Sequence, residues 1–189
     1  DNTTKFSATN PQTGLVEGVD LSGTGAKIST IQQFDTISFE GAKLGTVDFT
    51  GSNLENSTFN DNTQFTDQFG NGANLSGTNA NLSNIVFSNP DFSGVKLGSV
   101  NLSGSDLSGA TFSSTTEFAD INGNGVNLSG TNAVLRDLSG MINFRGVNLS
   151  SVRFENSFLD QAEFDNTTKF SATNPQTGLV EGVDLSGTG

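Results

Sequence analysis

Large apolar residues fall on a beat of five. They occur at Phe34, Phe39, Leu44, Phe49, Leu54 and Phe59, and again at Leu82, Phe87, Phe92, Leu97, Leu102, Leu107 and Phe112. A third run is Phe144, Leu149, Phe154, Leu159 and Phe164. Two residues before most of these stands a small or β-branched residue, such as Ala42, Val47, Ser52, Val95, Ser105, Val147 or Ala162. Between the two lies a polar one, such as Lys43, Asp48, Asn53, Asn101, Asp106 or Arg153. A period of five suits neither a helix nor a continuous strand. Inside each pentad, small-polar-large alternates with period two, so the pattern predicts a three-residue strand whose first and third side chains face one way. The pair that follows is often Ser-Gly, Glu-Gly or Glu-Asn, and Gly and Asn accept the positive φ of a tight corner. Strand and corner, repeated, predict a coil with two of every five residues inside.

The pentads VNLSG (126–130), SDLSG (105–109), AKLGT (42–46) and VNLSS (147–151) resemble the A(D/N)Lxx motif of pentapeptide-repeat proteins. The resemblance covers most of residues 34–164. It implies an all-β fold, a right-handed quadrilateral β-helix (β-solenoid) with four pentads per coil and Phe or Leu stacked inside. The expected core is therefore Phe34, Phe39, Leu44, Phe49, Leu54, Phe59, Phe87, Phe92, Leu97, Leu102, Leu107, Phe112, Phe144, Leu149, Phe154 and Phe164. At about 20 residues per coil, residues 1–189 predict eight to nine coils.

Two longer periods sit above the pentad. GVDLSGTGA begins at Gly18, GANLSGTNA at Gly72, GVNLSGTNA at Gly125 and GVDLSGTG at Gly182, in steps of 54, 53 and 57. Each block follows a six-residue step between phenylalanines: Phe59 to Phe65, Phe112 to Phe118, Phe164 to Phe170. Residues 165–189 repeat residues 1–25 letter for letter. Solvent-facing positions drift under fold constraints alone, so this identity points to a slice of a tandem array. A designed or symmetrised sequence is the competing explanation. The organisation expected is one continuous solenoid over 1–189, a 164-residue unit over 1–164, and the start of the next unit over 165–189. One unit would extend roughly 39 Å at the interstrand spacing. Breaks in the beat at Phe6–Leu21, Phe65–Leu75 and Phe118–Leu128 are expected to be corner loops, as are the seven-residue steps Leu75–Leu82 and Leu128–Leu135. The beat gives no clear assignment for Arg136–Ile142.

Composition removes several function classes. Hydrophobic residues make up 32% of the chain, below the roughly 45–50% of globular domains, which raises the possibility of disorder. The fixed phenylalanine beat argues against it. The net charge of −12 disfavours binding to nucleic acid through phosphate neutralisation and to anionic membrane surfaces. No apolar run reaches membrane-spanning length. With no His, Cys or Tyr, the commonest general bases and several nucleophiles are missing, so no catalytic residue is assigned and a non-enzyme is expected. The 13 Asp and 7 Glu fall mostly at outward or corner positions. The GNG corners (70–72 and 123–125) lack the Lys-Ser or Lys-Thr and the helix of a phosphate loop. Calcium, a hard cation seeking oxygen ligands, is the one metal to weigh, at Asp61, Asp67 and Asp120. No other cofactor is expected. Eight N-x-S/T sequons, Asn74, Asn101, Asn127 and Asn148 among them, are glycosylation acceptors only if the chain is exported.

The function expected is a non-catalytic structural module of a long extracellular filament, sheath or adhesin stalk, at a bacterial cell surface. Its partner would be itself, through tandem continuation and lateral or end-to-end assembly. The alternative, which the family resemblance supplies, is an acidic DNA mimic that inhibits a topoisomerase. Residues 1–164 hold 17 acidic and 7 basic residues. Over roughly 39 Å that is about one net charge per 4 Å, dilute beside duplex DNA at one per ~1.7 Å.

Overall fold

The computed structural model describes residues 6–9, 11–12, 16–28, 37–174 and 177–188. Phe34 lies outside them. Every named element among the described residues is a strand: β1 (Ser7–Thr9), β2 (Val16–Gly18), β3 (Val134–Arg136), β4 (Arg153–Ser157), β5 (Ser171–Thr173), β6 (Val180–Gly182) and β7 (Asp184–Thr188). Most pentads are shorter still, each making one parallel bridge to the next coil.

Those bridges define a β-helix. Asn81 pairs with Asn101, Val86 with Asp106, Asp91 with Thr111 and Lys96 with Glu117, giving four ladders side by side. Asn101 then pairs with Asn127 and resumes the first ladder. The bridging residue is the centre of each pentad, polar in these ladders except at Val86, so its backbone carries the coil-to-coil bond while its side chain points to solvent. A corner closes each pentad: the large residue's carbonyl accepts the amide of the next small residue, as from Ala42 to Phe39 (3.0 Å), Val47 to Leu44 (2.9 Å) and Val100 to Leu97 (2.9 Å). Residues just before the small one take positive φ, including Gly41 at 69°, Thr46 at 72° and Ser99 at 68°.

The inward residues form one continuous hydrophobic core. Phe39, Leu44, Phe49, Leu54, Phe92, Leu97, Leu102, Leu107, Phe144, Leu149 and Phe154 are fully buried, and Phe59, Phe87 and Phe112 nearly so. Phe164 departs from the expectation. It is 36% exposed: Phe144 stacks on it at 5.5 Å and Phe170 lies beside it at 5.4 Å, but no described coil stacks on its far side. The breaks in the beat supply further core: Phe65, Leu75, Phe118, Leu128, Leu135 and Leu138 are all buried, as is Leu82, which is on the beat. Within Arg136–Ile142, Leu138 and Ile142 turn inward while Met141 is 84% exposed.

An aromatic column runs through the coil. Phe6, Phe39, Phe59, Phe65, Phe92, Phe112, Phe118, Phe144, Phe164 and Phe170 follow one another at ring-centroid distances of 4.9–5.9 Å. At each six-residue step the column crosses to the next ladder. A threonine, buried at Thr63 and Thr116 and half-buried at Thr168, holds the extra residue there. Thr63 Oγ1 donates to the Phe39 carbonyl at 3.0 Å and accepts the Asn60 amide at 3.1 Å. Thr116 does the same with Phe92 (2.9 Å) and Ser113 (3.1 Å), and Thr168 with Phe144 (2.9 Å) and Asp165 (3.1 Å).

Replacing Thr116 by Val keeps the shape and removes both bonds. It is expected to cost on the order of 1–3 kcal/mol, read from denaturant unfolding. Thr115→Val, at the exposed neighbour, should stay within about 0.5 kcal/mol.

Candidate functional surface

The outward side chains build a polar lattice. The central Asx of a pentad accepts the amide two residues on, which is how an Asx-turn holds a corner. Asp48 Oδ1 takes the Thr50 amide at 2.9 Å, Asp106 that of Ser108 at 3.0 Å, and Asn101 that of Ser103 at 3.1 Å. This explains why Asp and Asn alternate freely at that position: either oxygen serves. Asn has an amide left over, and it reaches the neighbouring coil. Asn74 donates to Asp48 at 3.0 Å, Asn101 to Asn81 at 3.2 Å and Asn127 to Asn101 at 3.3 Å. The sequon nitrogens of Asn74, Asn101 and Asn127 are thus already engaged in the lattice.

Cations are paired across coils in the same way. Lys43 meets Asp20 at 3.3 Å, Lys96 meets Glu117 at 2.7 Å, Arg136 meets Glu155 at 2.6 Å and Arg145 meets Glu163 at 3.2 Å. Exposed pairs of this kind add roughly 0–1 kcal/mol each. Their larger effect is to occupy the few positive groups.

Four hairpins interrupt the lattice among the described residues: β1–β2, with Ser7 opposite Gly18, and one just after each six-residue step. Thr66 bridges Gly72 and Ala119 bridges Gly125, both antiparallel; β5 pairs with β6 in the same sense, Ser171 opposite Gly182. The GNG corners are therefore hairpin tips, with Gly70 at φ 80° and Gly123 at φ 79°. Asp67 organises the first: its Oδ1 takes the amides of Phe69 and Asn71, both at 2.9 Å, and its Oδ2 the Asn71 side chain at 3.0 Å. Asp120 repeats this with Asn122 and Asn124, all at 2.8 Å. The tips present apolar residues to solvent: Phe69 is 79% exposed, Ile121 fully exposed, and Leu179 66% exposed. Ile121 and Met141 share an open depression of about 440 Å³.

The last residue of each hairpin is a glycine for a steric reason. A Cβ on Gly18, Gly72 or Gly125 would lie 2.0–2.2 Å from the backbone nitrogen of Ala42, Val95 or Val147 on the next coil. These are the glycines that open the GVDLSG, GANLSG and GVNLSG blocks.

The acidic residues weighed for calcium are used otherwise or lie apart. Asp67 and Asp120 spend their carboxylates inside their own hairpins. Asp61 borders an open groove of about 870 Å³ that also passes Asp20, Lys43, Asp67 and Asp91. Among the described residues no three His, Cys, Asp or Glu side chains gather as a metal-holding group, and no helix is long and apolar enough to cross a membrane.

Residues 80–116 match the sequence profile of the pentapeptide repeats, in 8 copies, and that match implies the right-handed sense of the β-helix. No curated protein sequence matches the chain. Similar solved structures include full-length QnrB1, described as a plasmid-mediated fluoroquinolone resistance protein. It has 21% identity and a TM-score of 0.35, over 80% of this chain and 76% of that one. Another is HetL from the cyanobacterium Nostoc, described as a pentapeptide-repeat protein involved in heterocyst differentiation regulation. It has 20% identity and a TM-score of 0.27, over 89% of this chain and 84% of that one.

The corner carboxylates give the surface a pH dependence. Bonds from the Asn71 side chain and backbone hold Asp67 below the ordinary carboxylate range. Bonds from Thr167, chiefly its hydroxyl, lower Asp165 to about 2. At Asp120 burial pushes upward, but bonds from Asn124 and Asn122 outweigh it. These folded pKa values lie below the unfolded one, so the stabilisation is complete above the unfolded value near 4 and is lost as pH falls through the folded values. The melting temperature should be flat above about pH 5 and decline between about pH 4 and 2. Asp165→Asn should make that decline shallower, as read by circular dichroism.

Proposed function

We propose that this chain, which carries pentapeptide repeats, is a non-catalytic spacer: one unit and the start of the next from a long tandem solenoid at a bacterial cell surface. The observation that carries the reading is the behaviour of the two identical 25-residue segments. Ser7 faces Gly18 in β1–β2, and Ser171 faces Gly182 in β5–β6, the same register in both copies. Yet the first copy bonds to the coil after it, through Asp20 bridging Lys43 and the Gly23 amide donating to the Gly45 carbonyl at 3.1 Å. The second bonds to the coil before it, through Lys169 with Asn148 and β7 with β4. One sequence is thus built to be covered on both edges, as an interior coil of a repeating rod is.

The four ladders support a quadrilateral coil. Successive inward residues from Phe65 through Leu75, Leu82, Phe87, Phe92, Leu97, Leu102, Leu107 and Phe112 to Phe118 advance by nine faces, two and a quarter turns. The sub-repeat is therefore a screw step that carries the aromatic column and the hairpin on by a quarter turn. Three such steps give just under seven coils per unit instead of eight, because interrupted turns use 21–26 residues where regular ones use 20. The unit length becomes roughly 32 Å.

The lattice suits a spacer. Its polar groups are largely bonded to one another, which favours a straight, soluble, chemically inert surface. The DNA-mimic alternative gains no specific support, since lysines and arginines pair with Asp20, Glu117, Glu155 and Glu163 and the ladder Asn81–Asn101–Asn127–Asn148 has no carboxylate at its bridging positions.

The test is length. In the complete reading frame, tandem copies of the 164-residue unit are expected together with export and anchoring signals. Small-angle scattering of proteins with one, two and three units should show a rod growing by roughly 32 Å per unit. A single-unit gene, or a globular scattering profile, would refute the reading.

A further inference from the structure

Asparagine followed by glycine is prone to spontaneous deamidation, because glycine has no Cβ to keep its amide nitrogen from the asparagine side-chain carbon. The chain has three such pairs: Asn71-Gly72, Asn122-Gly123 and Asn124-Gly125. All lie in the hairpins organised by Asp67 and Asp120, and those hairpins hold them differently. Asn71 and Asn124 occupy the same place in the two. The Asn71 side-chain amide donates to Asp67 Oδ2 at 3.0 Å, and that of Asn124 to Asp120 Oδ2 at 2.8 Å. Their carbonyls accept the Asp67 and Asp120 amides at 3.0 and 3.1 Å. The glycines that follow are pressed against the next coil, since a Cβ on Gly72 or Gly125 would lie 2.2 Å from the Val95 or Val147 nitrogen. Both members of each pair are held.

Asn122 stands at a tip, where the Asp67 hairpin has Phe69, and it is exposed. Its backbone amide donates to Asp120 Oδ1 at 2.8 Å, but its side chain is the least of the groups bonded to that carboxylate. Gly123 faces open space: a Cβ there would meet nothing nearer than Arg145 Cβ at 3.8 Å and Asp165 Oδ2 at 3.9 Å. The Gly123 amide donates to the Asp120 carbonyl at 3.1 Å, a turn bond that opens whenever the tip does.

We propose that Asn122 is a self-modification site, converting in water to aspartate and isoaspartate while Asn71 and Asn124 are preserved. The Gly123 nitrogen loses its proton to solvent and bonds to Asn122 Cγ. The Cγ–Nδ2 bond breaks, and ammonia leaves carrying a proton regained from solvent. Water then opens the succinimide. Opening at one carbonyl gives aspartate on the original backbone; opening at the other gives isoaspartate, with the chain routed through the side-chain carbon. The net change is loss of ammonia and gain of water. Each event adds a negative charge beside Asp120, so a surface that is otherwise chemically inert acquires charge with age. This goes beyond the spacer reading and does not depend on it.

The test ages the full chain in mildly alkaline buffer and maps its peptides by mass spectrometry against an unaged sample. Fragmentation separates position 122 from 124, and an isoaspartate methyltransferase reports the rearranged product. Asn122 is expected to convert about tenfold faster or more than Asn71 or Asn124, which must first break a hydrogen bond to a carboxylate. In denaturant the three should convert at similar rates. Asp67→Ala should speed Asn71 about tenfold and leave Asn122 unchanged. Asn122→Gln should remove the isoaspartate signal of the folded chain. Equal rates at the three positions in the folded chain, or earlier conversion of Asn71 or Asn124, would overturn the proposal. So would an Asn122 that stays intact in the folded chain while converting in denaturant.

Discussion

Every other feature of this protein is subordinate to the bond between successive coils. Each pentad is too short to be a stable strand alone, and three residues bury little. It holds its shape because its central residue exchanges backbone hydrogen bonds with the coil before and the coil after. That register is unforgiving. A slip of one residue turns the inward side chains outward, so a chain that carries extra residues must place them where no ladder runs.

The corners are where they go. One extra residue at each six-residue step is absorbed by a threonine that bonds back to the Phe carbonyl of the previous coil. A larger excess becomes a hairpin, folded outward and fixed by a single carboxylate, Asp67 in one case and Asp120 in another. The hairpin brings its closing backbone so near the next coil that only glycine fits. The phenylalanine pair, the threonine and the glycine thus recur as parts of one device, with a carboxylate fixing the hairpin in two sub-repeats and Asn174 in the hairpin after Phe170.

The device also sets the symmetry of the rod. In the proposed four-sided coil a sub-repeat advances nine faces, and nine is not a multiple of four, so each copy would be rotated from the last. Hairpin tips that would otherwise line one side are distributed around the axis. The surface that results has no single dominant face. This fits the proposed spacer better than a flat binding platform.

The chain's five-residue beat was enough to determine the all-β coil, the inward Phe and Leu positions from Phe39 to Phe154, and the outward Asp and Asn. The reason is local: period-two alternation and turn chemistry act within a few residues. The identity of residues 1–25 and 165–189 was equally plain. What the sequence alone left undecided was the meaning of the breaks. Gly72 and Gly125 look like turn residues, yet their cause is the backbone of Val95 and Val147, more than twenty residues away in sequence and adjacent only once the coils stack. Phe65 and Phe118 fall off the beat and still join the core, because the column changes face there. Phe164 keeps the beat and is partly exposed, because burial depends on a following coil rather than on the residue. Periodicity records which way a side chain points; only stacking decides what, if anything, lies against it.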